Sequence, residues 1–406
     1  DTDVLIVPLL PGLHADSPLA ALPTELLLLL QEVAGSIERE ERLVTVMLVT
    51  CGSSGPPLSS PLHQPSAAGS LQGVVRVSRL EQPLLPLICL DTDAFGVDGS
   101  ALQLATQIFC ELEATDGSME VAYRKGKRYA PRILLSSRNL IRAGCEAPRL
   151  SWADKGGCVL ITGGLGGVGV VTAETLADAG ANCVVLVSRS GKIARDGQGL
   201  ARRLQAVEMT GVRVVWDSCD ISSEDEVVAL LERVRELYGP LQMVVHAAGV
   251  LDDRIFAMHN AKSMQASFAP KAEGAWHLHK HTVQDDLKLF CCFSSIAALY
   301  GNPGQANYAA ANAFMDELCR WRAAKGLPSI SLQLPAIAEV GMAAAMNKNK
   351  LLEDTIDLAT LKRVLRQSLA GTSRVEPVLV VATAGMLRPR EREHAFLLEL
   401  LLQYAA

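Results

Sequence analysis

From about residue 152 onward, short continuous apolar runs alternate with longer stretches whose apolar positions recur every three to four residues. "GGCVLITGG" is a β-branched run that ends in glycines, "VGVVTAETLADAG" has helical spacing and a glycine stop, and "ANCVVLVSRSG" is a second strand. "VRVVWDSCDIS", "LQMVVHAAGV", "LKLFCCFSS", "PSISLQLP" and "EPVLVVATA" continue the series, with helical segments between them. Strands that are apolar on both faces must be covered on both faces. The pattern therefore predicts a doubly wound α/β domain with a parallel sheet between two helix layers.

Residues 1 to about 150 repeat the alternation more weakly, as "TDVLIVPLL", "LAALPTELLLLLQEVAGSI", "RLVTVMLVTCG", "LPLICLDTD" and a helix "SALQLATQIFCELEA". Their first strand-to-helix turn, "LLPGLHADS", lacks the glycines that let backbone approach a pyrophosphate. This half is expected to be a truncated Rossmann-like structural subdomain without cofactor. "CGSSGPPLSSPLHQPSAAGS", rich in Gly, Pro and Ser, is expected to be an exposed loop. The tail "LRPREREHAFLLELLLQYAA" breaks at Pro389 and then becomes a leucine-rich amphipathic helix, either packed on the surface or serving as a linker. The expected division is 1–150 structural subdomain, 151–388 catalytic subdomain and 389–406 tail.

Composition narrows the function classes. A chain of 406 residues suits two domains of about 150 to 250 residues. With 38 basic against 44 acidic side chains, net −6, nothing in the charge seeks nucleic acid or an anionic membrane. The ten cysteines form no C-x-x-C pair, which disfavours metal sites and disulfide scaffolds and suits a reducing, cytoplasmic compartment. Neither a signal peptide nor a membrane span is expected, and the start at "DTDVLIVPLL" suggests a piece of a longer polypeptide.

The turn "ITGGLGGVG" holds Thr162, Gly163, Gly164, Leu165, Gly166, Gly167 and Gly169 between a strand and a helix. In that context the glycine pattern marks a dinucleotide site, because the helix N-terminus offers N–H groups to a pyrophosphate. The next strand ends in Ser188 and Arg189 where NAD-selective sites carry a carboxylate. A guanidinium binds a 2′-phosphate that a carboxylate repels, so the cofactor expected is NADPH. Asp220 and Ile221 follow the third strand, and Ala247, Ala248 and Gly249 follow the fourth, all facing the expected cofactor path.

"LKLFCCFSS" places Ser295 at the carboxyl edge of the sheet, where open α/β folds bind ligands. In "GNPGQANYAAANAF", Tyr308 and Asn312 lie one helical turn apart and face the same way. A short-chain reductase normally carries lysine at the second position, so a catalytic Tyr308 needs a positive charge from elsewhere; upstream, "FAPKAEGAWHLH" carries Lys271 on another expected helix. These segments, with "VVHAAGVLDD", resemble the ketoreductase domain of modular polyketide synthases. That domain is a branch of the short-chain dehydrogenase/reductases shared with animal-type fatty acid synthases. The resemblance is strong over about 155–385 and weaker in "AAGSLQGVVRVSRLEQP" and "EVAYRKGKRYAPRI". It implies exchanged lysine and asparagine, so that Lys271, Ser295, Tyr308 and Asn312 are the catalytic set. It also implies an acyl carrier protein presenting a β-ketoacyl thioester, and neighbouring synthase domains as partners.

In that family the Leu251-Asp252-Asp253 motif marks B-type reductases giving a D-configured β-hydroxy product; Pro303 and Asn307 agree, and Tyr300 stands where a tryptophan would argue otherwise. The aspartates equally suit a turn and helix cap, and both readings can hold. Ala310, where a proline could stand, points to an unepimerised α-carbon. One departure is "LQLPAIAEVGM", which lacks the tryptophans common before this segment and leads into an expected lid, "AAAMNKNKLLEDTIDLATLKRVL". A phenol titrates near 10, and a neighbouring ammonium is expected to lower it. A catalytically silent scaffold and a free-standing small-ketone reductase remain as alternatives.

Overall fold

The computed structural model describes residues 3–9, 19–40, 43–53, 65, 67–94, 100–133, 149–150, 156–193, 198–342, 344, 355–370 and 377–382. The first part contains β1 (Asp3–Pro8), α1 (Ala21–Glu40), β2 (Val44–Thr50), α2 (Gly69–Glu81), β3 (Leu87–Thr92), α3 (Ser100–Leu112), β4 (Glu120–Arg124) and β5 (Lys127–Tyr129). These strands form one sheet in the order β1-β2-β3-β4-β5, parallel except for the closing β4–β5 hairpin. Lys125 and Gly126 turn that hairpin with φ of 50° and 74°, the left-handed pair a two-residue turn demands.

The second part runs β6 (Cys158–Thr162), α4 (Gly167–Asp178), β7 (Cys183–Ser188), α5 (Leu200–Glu208), β8 (Arg213–Ser218), α6 (Glu224–Tyr238) and β9 (Leu241–His246). It continues through α7 (Ala261–Phe268), α8 (Gly274–Thr282), β10 (Leu289–Ser295), α9 (Ile296–Tyr300), α10 (Ala306–Ala324) and β11 (Ser329–Leu334). A small pair, β12 (Ala336–Ile337) with β13 (Thr355–Ile356), precedes α11 (Leu358–Ala370) and β14 (Val378–Val380). The main sheet is a seven-stranded parallel one, β14-β11-β10-β9-β6-β7-β8. Its order reverses between β6 and β9, which opens a crevice at their carboxyl ends, the place where such sheets take ligands. β6 and β9 are buried along their whole length, as continuous apolar runs require.

Every strand expected from the sequence is present. The helix α2 and the β4–β5 hairpin are additions, because their sequences carried only the family resemblance. The Gly/Pro/Ser-rich segment is corrected at both ends: Ser53 and Ser70 are 1% and 0% exposed, the first bonded to Asp91 and the second at the start of α2. Residues 54–64, the turn after β1, much of the expected lid and the tail 389–406 lie outside the described residues.

The two sheets share one apolar core. A single cluster joins Leu27 and Leu30 of α1, Leu71 and Val74 of α2, and Ala309, Ala310 and Phe314 of α10. Helices α2 and α10 meet backbone to backbone, for a Cβ on Gly73 would stand 2.4 Å from the Ala309 carbonyl carbon. The first part of the chain is therefore packed directly against the helix that carries Tyr308.

Candidate active site

The turn between β6 and α4 is shaped by its glycines. Gly163 has φ of +65°, and a Cβ there would lie 2.7 Å from the Ala247 carbonyl carbon. On Gly169 it would stand 2.5 Å from the Gly163 carbonyl oxygen, and on Gly164 2.5 Å from that of Ile161. These three positions let the turn close on itself and on the end of β9. Gly166 differs: a Cβ would meet only the Gly163 oxygen, at 3.2 Å. It caps α4 without a side-chain hydrogen bond, so no side chain competes for the first-turn N–H groups that suit an anion. Gly167 lies under the Gly341 amide, 2.4 Å from a built Cβ, which brings segment 340–342 over the turn. The Leu165 side chain is fully buried in the core, so only its backbone faces the turn.

At the far end of this crevice, β7 ends in a half-buried Ser188 and an exposed Arg189. The Asp220 carboxylate accepts hydrogen bonds from the Ser222 amide at 3.0 Å and hydroxyl at 2.6 Å. Those bonds, with the charge of Arg189 beside it, hold its pKa below the usual range. Ile221 is buried, its Cγ2 3.0 Å from a Cβ built on Gly274. It shapes the packing beneath the crevice and does not line the cleft described below.

The chain between α7 and α8 widens into a π-helical turn, Ala269–Glu273, and this turn presents Lys271. Pro270 has no N–H to continue the α-helical ladder, and single π turns recur at functional positions. The Lys271 ammonium, 3% exposed as a residue, donates to Asn312 Oδ1 at 3.0 Å and to the Phe293 carbonyl at 3.2 Å. Asn312 Nδ2 in turn donates to the Tyr308 carbonyl at 2.7 Å. The lysine nitrogen lies 5.0 Å from the Tyr308 ring centre. Gly249 makes room for it, because a Cβ would stand 2.7 Å from Lys271 Cε. Burial pushes the Lys271 amine down to about 8. Ser295 caps the short α9, accepting from the Ala297 amide at 3.2 Å, and also lines the cleft.

The expected lowering of the Tyr308 pKa is corrected. Burial raises the phenol above its ordinary value; the Asn312 and Ser295 side chains pull it down, and the Asp253 carboxylate raises it further. Desolvation outweighs the two side-chain hydrogen bonds.

His246 joins the cofactor turn to the lysine and went unnoticed in the sequence. Its Nε2 lies 3.0 Å from the Lys271 carbonyl oxygen and its Nδ1 2.7 Å from Thr162 Oγ1. Burial, with the Lys271 charge, drives its pKa down to about 3, so it is neutral. A carbonyl only accepts, so the proton sits on Nε2 and the Thr162 hydroxyl donates to Nδ1. The local signal was a histidine at the end of a fully buried, largely apolar strand.

Tyr308, Ser295 and Lys271 all line one cleft of about 360 Å³, together with Ala247, Gly249 and Leu251. Residues 157–339 match the family model described as the KR domain. A phenolphthiocerol/phthiocerol polyketide synthase polypeptide of Mycobacterium tuberculosis (strain CDC 1551 / Oshkosh) is 35% identical over 308 residues, 75% of this chain. The ketoreductase from the first module of phoslactomycin biosynthesis in Streptomyces sp. HK803 superposes with a TM-score of 0.77 at 28% identity, covering 97% of this chain and 85% of that one. The chain carries a ketoreductase domain of the polyketide-synthase type. It spans about 16% of the length of that mycobacterial relative. A structure of A-type ketoreductases from a modular polyketide synthase matches with a TM-score of 0.72 at 27% identity, over 91% of this chain and 75% of that one.

The ketoreductase domain is a Rossmann-type oxidoreductase fold, and the open face at Gly166, the uncapped start of α4 and the adjoining cleft fit a nicotinamide dinucleotide. Of the residues expected to steer the substrate, Leu251 lines the cleft. Asp252 pairs with Arg254 at 3.1 Å, and Asp253 accepts from Gln305 Nε2 at 2.9 Å. Gln305, absent from the sequence-based set, is itself on the cleft wall. Pro303 is exposed and does not line the cleft. Asn307 is buried and braces the loop, Nδ2 donating to the carbonyls of Asp252 at 2.9 Å and Ser263 at 2.8 Å. Ala310 lies beneath Gly73, away from the cleft. The departing segment forms the opposite wall through Leu334, Pro335, Ile337, Val340 and Met342. All nine cysteines among the described residues are free thiols, and no described helix is long and apolar enough to cross a membrane.

Proposed function

We propose that the chain reduces the β-keto group of an acyl thioester, held on an acyl carrier protein, to a β-hydroxyacyl thioester with NADPH as reductant. The observation that carries this reading is Lys271, brought by the π turn to 3.0 Å from Asn312 on the helix that bears Tyr308. The exchange of lysine and asparagine thus leaves one working set. Residues 1–150 serve as structural subdomain, 151–388 as catalytic subdomain and 389–406 as tail, within a larger synthase in a reducing compartment.

Bound NADPH would supply the hydride; the chain's own groups do the rest. The first-turn amides of α4, at Gly167 and Val168, would hold the pyrophosphate, and Arg189 would hold the 2′-phosphate in place of the carboxylate an NAD site would carry. Tyr308, kept protonated by its raised pKa, donates its proton to the ketone oxygen. The Ser295 hydroxyl hydrogen-bonds that oxygen as charge develops on it. Lys271 stabilises the phenolate that remains, and Asn312 carries the path by which the phenol regains its proton. Leu251 on the cleft, with Asp253 acting through Gln305, favours the B-type face and a D-configured product. The alternatives, a silent scaffold or a free-standing reductase of small ketones, lack a comparable supporting observation.

The test is NADPH consumption with a β-ketoacyl N-acetylcysteamine thioester, for the intact chain and Tyr308→Phe, with products resolved on a chiral column. Turnover by the intact chain, at least about 10²-fold reduced in the variant, and a dominant D-alcohol are expected. A dominant L-alcohol would sink the B-type assignment alone, whereas NADPH binding without turnover would sink the reductase.

A further inference from the structure

We infer that Glu81, in the part of the chain that holds none of the proposed catalytic residues, is a positioning residue for the active site. Its carboxylate clamps together the two loops that frame the entrance to the substrate cleft. The inference rests on the reductase reading above and adds to it a residue that touches neither substrate nor cofactor.

Glu81 is the last residue of α2. A carboxylate there opposes the helix macrodipole, so helix stability does not account for it. It bridges two separate segments: Oε2 accepts from the Phe256 amide at 2.7 Å, and Oε1 accepts from the Gly304 amide at 2.9 Å. Phe256 follows the Leu251-Asp252-Asp253 loop, and Gly304 lies four residues before Tyr308. Charge-assisted bonds from two amides to one carboxylate fix both position and spacing more firmly than neutral contacts.

The same two segments are tied to each other by the Arg254 amide to the Gly304 carbonyl at 2.8 Å and by Gln305 to Asp253 at 2.9 Å. A second side chain of the first half grips the lower loop. Gln31 of α1 donates through Nε2 to the carbonyls of Phe256 at 2.7 Å and His259 at 3.0 Å. The upper loop has no freedom to move toward α2, since Gly301 has φ of +76° and a Cβ on it would lie 2.8 Å from the Arg76 carbonyl. Leu251 on one loop and Gly301, Asn302 and Gln305 on the other, all lining the cleft, are therefore spaced by a carboxylate anchored in the other sheet's helix layer. Displacement of a bound ketone by even about an ångström costs up to roughly 10²-fold in rate. The spacing of these walls determines which face of the ketone meets the reductant.

The experiment compares the intact chain with Glu81→Gln and Glu81→Ala. Three quantities are read: amide exchange at Phe256 and Gly304 by NMR, NADPH affinity by fluorescence, and kcat, KM and the D:L product ratio with the β-ketoacyl thioester. Expected are faster exchange confined to those loops, NADPH affinity unchanged, a kcat lower by roughly tenfold with little change in KM, and an eroded product ratio. Glu81→Gln, which keeps one acceptor, should lie between the intact chain and Glu81→Ala. Unchanged kcat and product ratio in both variants would overturn the inference, as would loss of NADPH affinity and thermal stability in both, which marks a merely structural residue. If the intact chain turns over no thioester, the reductase reading fails, and the exchange at Phe256 and Gly304 alone decides whether the clamp exists.

Discussion

Lys271 shows how a single environment sets a pH limit. Its amine is buried against two neutral oxygens, the Asn312 amide and the Phe293 carbonyl, and desolvation lowers it from an ordinary 10.5 to about 8. Between those values the unfolded chain holds a proton that the folded chain has released, so this residue makes stability rise with pH across that window. Buried thiols such as Cys158 and Cys219, pushed up to about 12, act in the opposite sense above the ordinary thiol value. The lysine contribution is therefore read as a difference between the intact chain and Lys271→Met, each unfolded by urea from pH 7 to 10.5. That difference should grow in favour of the intact chain above about pH 8. For the reaction, kcat/KM of the free enzyme should fall about tenfold per pH unit beyond 8. Tyr308, raised above its ordinary value, cannot produce a limb that low. A profile flat to pH 9.5 would remove the need for an ammonium at this position.

At the scale of elements, α2 against α10 is the contact that matters most to Tyr308. Gly73 stands 2.4 Å, measured from a built Cβ, from backbone atoms of Ala309 and Ala310, which cannot yield as a side chain can. Gly73→Ala should therefore destabilise by about 2 kcal/mol despite the better helix propensity of alanine, and lower kcat by displacing α10. Gly35 in α1 is the contrast: its built Cβ meets only the movable end of Arg39 at 3.1 Å, so Gly35→Ala should be neutral or stabilise by up to about 1 kcal/mol. Thermal melts of the two variants distinguish a backbone contact from a helix-propensity effect. These elements also show where the sequence stops being readable. The strands of the main sheet were legible because continuous apolar runs have one physical use. Helix α2 was not, since Gly69, Gly73 and three valines in its sequence disfavour a helix, and only its packing on α10 overrides that preference. The residues showed that a lysine was missing at Asn312 and the family resemblance pointed to Lys271, but the π turn that delivers it was not legible, because Pro270 inside a helical pattern signals a break as readily as a widened turn. The roles of Gln305 and Glu81 depend on contacts across 52 and 223 residues of chain, which no local pattern carries.

At the scale of the molecule, the two sheets cannot be separate folding units if they share one core. The apolar face of α10 is divided between its own sheet and α2, with Ala309, Ala310 and Phe314 in the same cluster as Leu71 and Val74. Arg76 of α2 is ion-paired to Glu120 of β4 at 2.5 Å and also donates to the Ala298 carbonyl of α9, so a strand of the first sheet is held to the helix that follows Ser295. Arg79 bonds the same carboxylate at 2.9 Å, and the two guanidiniums hold the Glu120 pKa down to about 2. The stability this carboxylate contributes is present above its unfolded value and is lost as pH falls toward 2. Removing the first half would expose the α2-facing side of α10 and leave the loops at Phe256 and Gly304 without Gln31 and Glu81. A chain of residues 149–406 alone is thus expected to give a compact state without fixed side-chain packing, with dye-binding apolar surface and no turnover. Co-expression with residues 1–148 should restore cooperative melting and activity together, because the missing surface and the missing clamp arrive on the same helices. A cooperatively melting, active 149–406 fragment would show that the shared core is dispensable and that the catalytic sheet positions Tyr308 by itself.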